Sequence, residues 1–375
     1  MEPFKNLINA QTVREAAHHL ARAWPAFPRK SFESLALAGL EALELKARVL
    51  HLSRALEACL PRDFEFAAAL LEASLAPPAE DDTQDALRSS PAALAGWVIW
   101  PMTEFVARCG QATPERALRC LYALTQRSTA EFAIRPFIEQ HPALTFATLE
   151  EWTRDPSPHV RRLVSEGSRP RLPWGMQLKG LIVDPTATLP LLRALLDDPS
   201  EYVRRSVANH LNDIAKDHPA LVAAWVEQHL PGASAQREAL LKHASRTLIK
   251  RGDPRMLKAW GLAHALHGDA QLKLSKRRIA LGDSLEFRVI LHSDSPRRQR
   301  LAIDYAVHHV KANGKTSPKV FKGWTVELGA HEQRELRKTH SLRPVTTRTY
   351  HAGRHTIELR INGRDAAQAQ FTLSL

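Results

Sequence analysis

The apolar positions of this 375-residue chain follow two periods in turn. From the N-terminus to about residue 265 they recur every three or four residues, the spacing that gathers side chains on one face of a helix. Ala, Leu, Glu and Arg dominate this part, as in residues 34–45, and all four favour the helix. Proline-bearing or polar breaks recur near residues 25–28, 61–63, 77–82, 112–114, 141–142, 170–173, 185 and 218–219. Helices with such short punctuation predict an α-solenoid of antiparallel helix pairs. Beyond about residue 267 the period drops to two. Alternating stretches at 271–274, 285–291, 301–307, 324–328, 335–342, 356–361 and 370–373 predict about seven strands in roughly 108 residues, a β-sandwich of immunoglobulin-like type. Asn313-Gly314 and Asn362-Gly363 predict hairpin turns. The expected architecture is multidomain, α then β: a HEAT-like α-solenoid over residues 1–266, then an Ig-like β-sandwich over 267–375.

One stretch of the helical part is written twice. Asp155-Pro156-Ser157-Pro158-His159-Val160-Arg161-Arg162-Leu163-Val164 is answered by Asp198-Pro199-Ser200-Glu201-Tyr202-Val203-Arg204-Arg205-Ser206-Val207, at an offset of 43 residues. Repeats of roughly 40–47 residues are the period of HEAT and armadillo arrays. Asp-Pro-Ser predicts a helix start, because Asp or Ser caps free N–H groups and Pro fits the first turn. In the second copy Val203, Val207, Leu211 and Ile214 form an apolar stripe, while Arg205, Asn209 and Asp213, four residues apart, stack along another. Arg162 and Glu166 occupy the same ladder in the first copy. Equivalent faces of successive repeats line one concave surface. The prediction is a groove carrying arginines for phosphates, with carboxylates set among them. A carboxylate there repels an anionic ligand, so its presence needs a reason other than affinity. A weaker third copy is expected within residues 236–250.

Formal net charge is +12, which favours a polyanion such as nucleic acid or an anionic membrane surface. The excess is uneven. Residues 268–375 hold 20 Lys and Arg against 10 Asp and Glu, so the sandwich carries most of it. Lys311, Lys315, Lys319 and Lys322, with Arg297, Arg298 and Arg300, cluster around two of its loops. No apolar run approaches the roughly 20 residues that span a bilayer, and Met1-Glu2-Pro3-Phe4-Lys5 lacks a signal pattern. Cys59, Cys109 and Cys120 lack metal-ligand spacing and read as free thiols of a reducing cytoplasm. No phosphate-binding glycine loop, zinc cluster or Ser-His-Asp set is legible, so no metal or other cofactor is expected. The histidines, among them the pairs His18-His19 and His308-His309, read as surface residues. Trp97 and Trp100, within residues 94–101, read as aromatic core at a helix and its break.

The carboxylates Glu131, Glu166 and Asp213, with Trp174, are the candidates for chemistry. Each has a plainer reading: a capping box of Glu131 with Ser128 at the opening of a helix, an i,i+4 pair of Glu166 with Arg162, a solvated acid at Asp213, and a core plug at Trp174. On residue type and position, Arg161, Arg162, Arg169, Arg171, Arg204 and Arg205 are the phosphate candidates of the groove, and Lys311, Lys315 and Lys319 those of the sandwich.

Residues 204–219, which contain Arg204-Arg205-Ser206-Val207-Ala208-Asn209-His210-Leu211-Asn212-Asp213, resemble a signature of the AlkC-type DNA alkylation-repair glycosylases. Residues 160–174, from Val160-Arg161-Arg162 through Glu166-Gly167-Ser168-Arg169-Pro170 to Trp174, resemble the signature that precedes it. The likeness extends over the whole chain, a C-terminal Ig-like domain included, although in the N-terminal third it is one of helical character only. It implies hydrolysis of the N-glycosidic bond of cationic N3-methylated bases, 3-methyladenine and 3-methylcytosine, in duplex DNA, without turning the base into a deep pocket. It implies Glu131, Glu166, Trp174 and Asp213 as the catalytic cluster and Arg162 as a backbone contact. Glu139, two turns beyond Glu131, is the less distinctive alternative. The chemistry suits these residues, because loss of a methylated base leaves positive charge on the deoxyribose. Asp213 is expected to orient or deprotonate water, Glu131 and Glu166 to favour the cation, and Trp174 to pack on the sugar or base edge.

The expected partner is double-stranded DNA containing alkylated bases, bound by a cytoplasmic monomer with no membrane association, the sandwich closing on the duplex. Two readings compete. One is a non-enzymatic HEAT scaffold for nucleic acid or protein, which binds tightly and releases no base. The other is an AlkD-type relative specialised for 3-methyladenine and 7-methylguanine, a family that lacks the sandwich and commonly has aromatic groove residues where this chain has Asn209.

Overall fold

A computed structural model describes residues 3–78, 87–345 and 348–375. Among these residues the chain runs through sixteen α-helices between Ala10 and Ala259 and then eight strands. It forms two compact units. One comprises Met1–Asp217 with Ser234–Ala244, the other His218–Ala233 with Ser245–Leu375. The expected break at residues 77–82 lies partly outside the described residues.

The duplicated stretch explains its own fold. Asp155 folds back to accept a hydrogen bond from the Ser157 amide at 2.8 Å, and Asp198 does the same for Ser200 at 2.9 Å. Each Asp thus closes a turn ahead of the helix; Ser157 makes no side-chain cap. The helices Pro158–Gly167 and Glu201–Asp217 follow and pack on one another. Val160, Leu163 and Val164 meet Val203, Val207, Leu211 and Ile214 in the core, all nearly inaccessible. Burying such side chains contributes roughly 1.5–3 kcal/mol each. The first arginine of each Arg-Arg pair does a repeated structural job. Arg161 donates to the carbonyls of Asp155 and Pro156, and Arg204 to those of Asp198 and Pro199. The stretch expected to hold a weaker third copy, residues 236–250, covers parts of the helices Ala235–Ala244 and Arg246–Arg251, which fall in different units. The break expected after Trp100 is instead a helix start: Pro101 sits in the first turn of Ile99–Cys109, where its missing N–H costs nothing.

In the second unit β1 (Gly268–Leu274), β3 (Ser284–Ser293) and β6 (Gln333–Ser341) form one sheet in the order β1-β3-β6. The other holds β2 (Arg278–Ala280), β8 (Arg364–Ser374), β7 (Gly353–Ile361), β4 (Gln299–Val310) and β5 (Thr316–Leu328), in that order. All seven expected strands are present; the addition is β2, three residues paired parallel to β8 and too short to show a period. Leu285, Phe287, Val289 and Leu291 alternate inward against Leu301, Ile303, Tyr305, Ile357, Leu359 and Phe371. Asn362 and Gly363 have φ of 49° and 73°, the paired left-handed geometry of a two-residue β7–β8 turn. Not every histidine is at the surface: His309, His340 and His355 are buried in the sandwich, and His19, His159 and His210 among the helices.

Candidate active site

Three carboxylates from three separate segments converge in the first unit, and two guanidiniums join them. Glu131 lies in a turn ahead of the helix Arg135–Gln140, so it does not open a helix, and its partner is Thr129 rather than Ser128. Its Oε2 accepts from the Thr129 hydroxyl at 2.9 Å and from Arg162 Nη1 at 2.8 Å. Arg162 also reaches Glu166 Oε1, one turn along its own helix, at 3.6 Å. The stronger partner of that oxygen is Arg169, three residues on, at 2.6 Å. Glu166 Oε2 accepts from Ser206 at 2.6 Å. Arg169 then spans to Asp213 Oδ2, with Nε and Nη2 both at 2.8 Å, and Lys216 holds Asp213 Oδ1 at 2.8 Å. The result is one alternating chain, Glu131–Arg162–Glu166–Arg169–Asp213–Lys216.

Burial shapes its electrostatics. Asp213 is 2 % exposed, so it is no solvated acid. Burial by itself would raise the Glu166 carboxyl; the guanidiniums of Arg162 and Arg169 and the Ser206 hydroxyl outweigh it and hold that carboxyl below its usual range. Glu166 is therefore ionised at neutral pH, with both oxygens occupied. Both Asp213 oxygens are occupied as well. Glu131 differs: among the described residues nothing hydrogen-bonds its Oε1. Glu139, the alternative, is exposed on the next helix.

Trp174 is not a core plug. It is 60 % exposed and holds φ at 64°, left-handed backbone that costs a bulky residue on the order of 1 kcal/mol or more. Arg135 is what maintains it. This guanidinium is fully buried beneath the loop after Gly167, where it donates to the carbonyls of Gly167 and Arg169 at 2.8 Å each and, through Nε, to Met176 at 2.8 Å. Burial, and the nearby Arg169 charge, lower its pKa to about 10, so it stays charged at neutral pH. Lys46 adds a bond to the Trp174 carbonyl. Gly167 lets the Glu131 turn approach, since a Cβ there would sit 2.5 Å from Ile134. Behind the carboxylates His210 is fully buried, its Nδ1 donating to the Ser165 carbonyl at 2.9 Å, and burial lowers its pKa to about 3. Neither Arg135 nor His210 was singled out by pattern. An arginine inside the apolar run from Phe132 to Ile138 was the available signal.

Glu131 and Trp174 share a cleft of about 370 Å³, walled by Trp97, Trp100 and Phe132. The remaining arginines divide. Arg161, besides its carbonyls, grips Asp198 through two bonds of 2.6 and 3.0 Å, and Arg171 pairs with Asp217 near the surface. Arg205 is exposed, with no ion pair or hydrogen bond among the described residues, and lines a second cleft of about 480 Å³ with Arg204 and His243. Lys311 and Lys315 flank the exposed β4–β5 turn, and Lys319 lies on β5 with its ammonium 5.5 Å from the Phe321 ring. Among the described residues no group of three or more His, Cys, Asp and Glu is arranged to hold a metal ion, and no helix is long and apolar enough to cross a membrane.

Comparison with known proteins bears on both units. Residues 126–247 match a family described as DNA alkylation repair enzyme, and residues 268–375 match the C-terminal Ig-like domain of YhaZ proteins. The chain is 36 % identical over 368 residues to the protein YhaZ of Bacillus subtilis, with 97 % of each covered. It also superimposes on the Pseudomonas fluorescens alkylpurine DNA glycosylase AlkC bound to DNA containing an abasic site analog. There the TM-score is 0.90 and the identity 34 %, with all of both chains covered.

Proposed function

Because the chain belongs to the AlkC-type family of DNA alkylation repair proteins, we propose that it is a DNA glycosylase acting on cationic N3-methylated bases, 3-methyladenine and 3-methylcytosine, in double-stranded DNA. The observation that carries this reading is the gathering of Glu131, Glu166 and Asp213 by Arg162 and Arg169, beside a cleft that exposes Trp174. Cleavage of the N-glycosidic bond moves positive charge from the methylated base to the deoxyribose. A carboxylate about 4 Å from that charge is worth about 4 kcal/mol at an effective dielectric near 20, on the order of a thousandfold in rate. A neutral base gains much less, so charge alone provides selectivity, and the base need not be turned into a deep pocket.

The roles follow from which oxygens are open. Glu131, with Oε1 unbonded among the described residues and its side chain lining the cleft, meets the cation. Glu166 fixes Arg162 and Arg169 while adding its own negative charge. Asp213 orients or deprotonates water once Lys216 swings away from Oδ1. That ammonium is 38 % exposed and so can reach solvent, while Asp213, 2 % exposed, keeps Arg169 as its buried partner. Trp174 packs on the sugar or base edge. Arg171 and Arg205, with Lys311, Lys315 and Lys319, are the phosphate contacts we favour; Arg161, Arg162, Arg169 and Arg204 are already committed within the fold. The test is incubation with methylated duplex DNA followed by chromatography of released bases. Release by the wild type and loss of release in Asp213→Asn are expected. Tight DNA binding with no released base would favour a scaffold instead.

A further inference from the structure

We propose that the cleft beside Glu131 is a holding site for a free N-methylated nucleobase, the planar ring that the reaction proposed above releases. The inference rests on that reading for its ligand and on the cleft for its chemistry. Trp100 is buried as expected and Trp97 half-buried, and both also form a wall of this cavity. Trp100 stacks on Phe132 with centroids 5.0 Å apart and planes 21° from parallel, and Trp97 lies 6.1 Å from Trp100. Rings in this range prefer offset stacking, and a wall of them offers faces on which another flat heterocycle can stack. The volume, about 370 Å³, falls at the lower end of small-molecule sites.

Its polar groups favour a bare base over a nucleotide. Among the described residues lining the cleft Glu131 carries the one charged side chain, and no Lys or Arg of them faces it to receive a phosphate. Glu131 Oε2 is fixed by Thr129 and Arg162, which leaves Oε1 to accept from an amino or ring N–H of the ligand. The base leaves neutral, its charge having passed to the deoxyribose, so its amino group donates to the carboxylate while its flat face stacks on the aromatic wall. Trp174 forms the edge shared with the candidate active site, so a base parted from its sugar has a short path inward. The consequence is product inhibition tuned by Trp97, Trp100 and Phe132, which lie outside the carboxylate–arginine chain.

Equilibrium dialysis of the full chain against labelled 3-methyladenine tests this, with adenosine monophosphate as the control ligand. One saturable site for the free base and none for the nucleotide is expected. Trp97→Leu and Phe132→Leu should each weaken binding about tenfold. Trp97→Phe should restore most of it, which guards against a variant that merely folds poorly. Asp213→Asn should bind the free base as well as the wild type does. Absence of saturable binding up to about 10 mM, or binding unchanged in both Leu variants, overturns the proposal. A wild type that frees bases from DNA yet does not bind them sinks this site alone. A wild type that binds the free base yet frees none supports the site and sinks the glycosylase reading.

Discussion

Replacing Arg135 by Met should disconnect Trp174 from the carboxylates while leaving every proposed catalytic group in the sequence. The side chain is fully buried and donates to three backbone carbonyls, those of Gly167, Arg169 and Met176. A hydrogen bond from a charged donor contributes roughly 1.5–3 kcal/mol, and a buried carbonyl left without a partner costs a further 1–3 kcal/mol. Against this stands the relief of no longer burying a guanidinium, which for buried charges recovers much of the gross figure. Methionine fills most of the volume, so the cavity contribution is small. The net loss should be about 3–5 kcal/mol. It should be concentrated in the loop, because the apolar core of the helices is untouched. Urea unfolding measures the total, hydrogen exchange at the amides of residues 168–178 shows where it falls, and single-turnover base release reports the function. Base release should drop at least about a hundredfold as Trp174 loses its fixed position. A variant that unfolds within about 1 kcal/mol of the wild type and releases base at the same rate would refute the reasoning.

Four further outcomes are expected. Trp174→Gly relieves the left-handed backbone and removes an exposed ring, so stability should change by no more than about 1 kcal/mol while base release falls; a matching loss of both would make Trp174 a packing residue. Glu166→Gln keeps the shape but leaves Arg169 with less negative charge, and base release should fall about a hundred- to thousandfold, unlike the parallel change Glu139→Gln. Burial holds His210 and His309 near pKa 3 and His340 near 4, below the unfolded value of 6.5. The unfolded chain therefore takes up protons that the folded chain refuses. Stability should be full above pH 6.5 and fall as pH drops below it, by up to about 1.4 kcal/mol per unit for each histidine; equal urea midpoints at pH 7.5 and 5 would contradict this. Changing Lys311, Lys315 and Lys319 to Gln should weaken duplex binding and reduce its salt slope by up to about 3, and an unchanged slope would remove the hairpin from the interface.

The sequence alone determined the kind of the longer elements, though not the three-residue β2 or the turn at Glu131. The change of period near residue 267 separates helices from strands because apolar burial obeys 3.6-residue and two-residue geometry whatever the tertiary context. The repeat beginning at Asp155 and Asp198 determined that two helices would be equivalent, and Asn362-Gly363 determined a turn. What it left open was which member of each Arg-Arg pair turns back on its own loop, and that Arg162 meets Glu131 and Glu166 while its counterpart Arg205 stays exposed. Neighbouring side chains on a helix differ by about 100° in direction, and only the packed neighbours say where each direction leads. Tertiary structure also decided that Asp213 is buried, that Trp174 is exposed on strained backbone, and that Arg135 holds the loop between them. These depend on contacts between residues some 30 to 45 positions apart, and the energy that holds a buried guanidinium or a left-handed tryptophan in place comes from those distant partners rather than from the chain on either side.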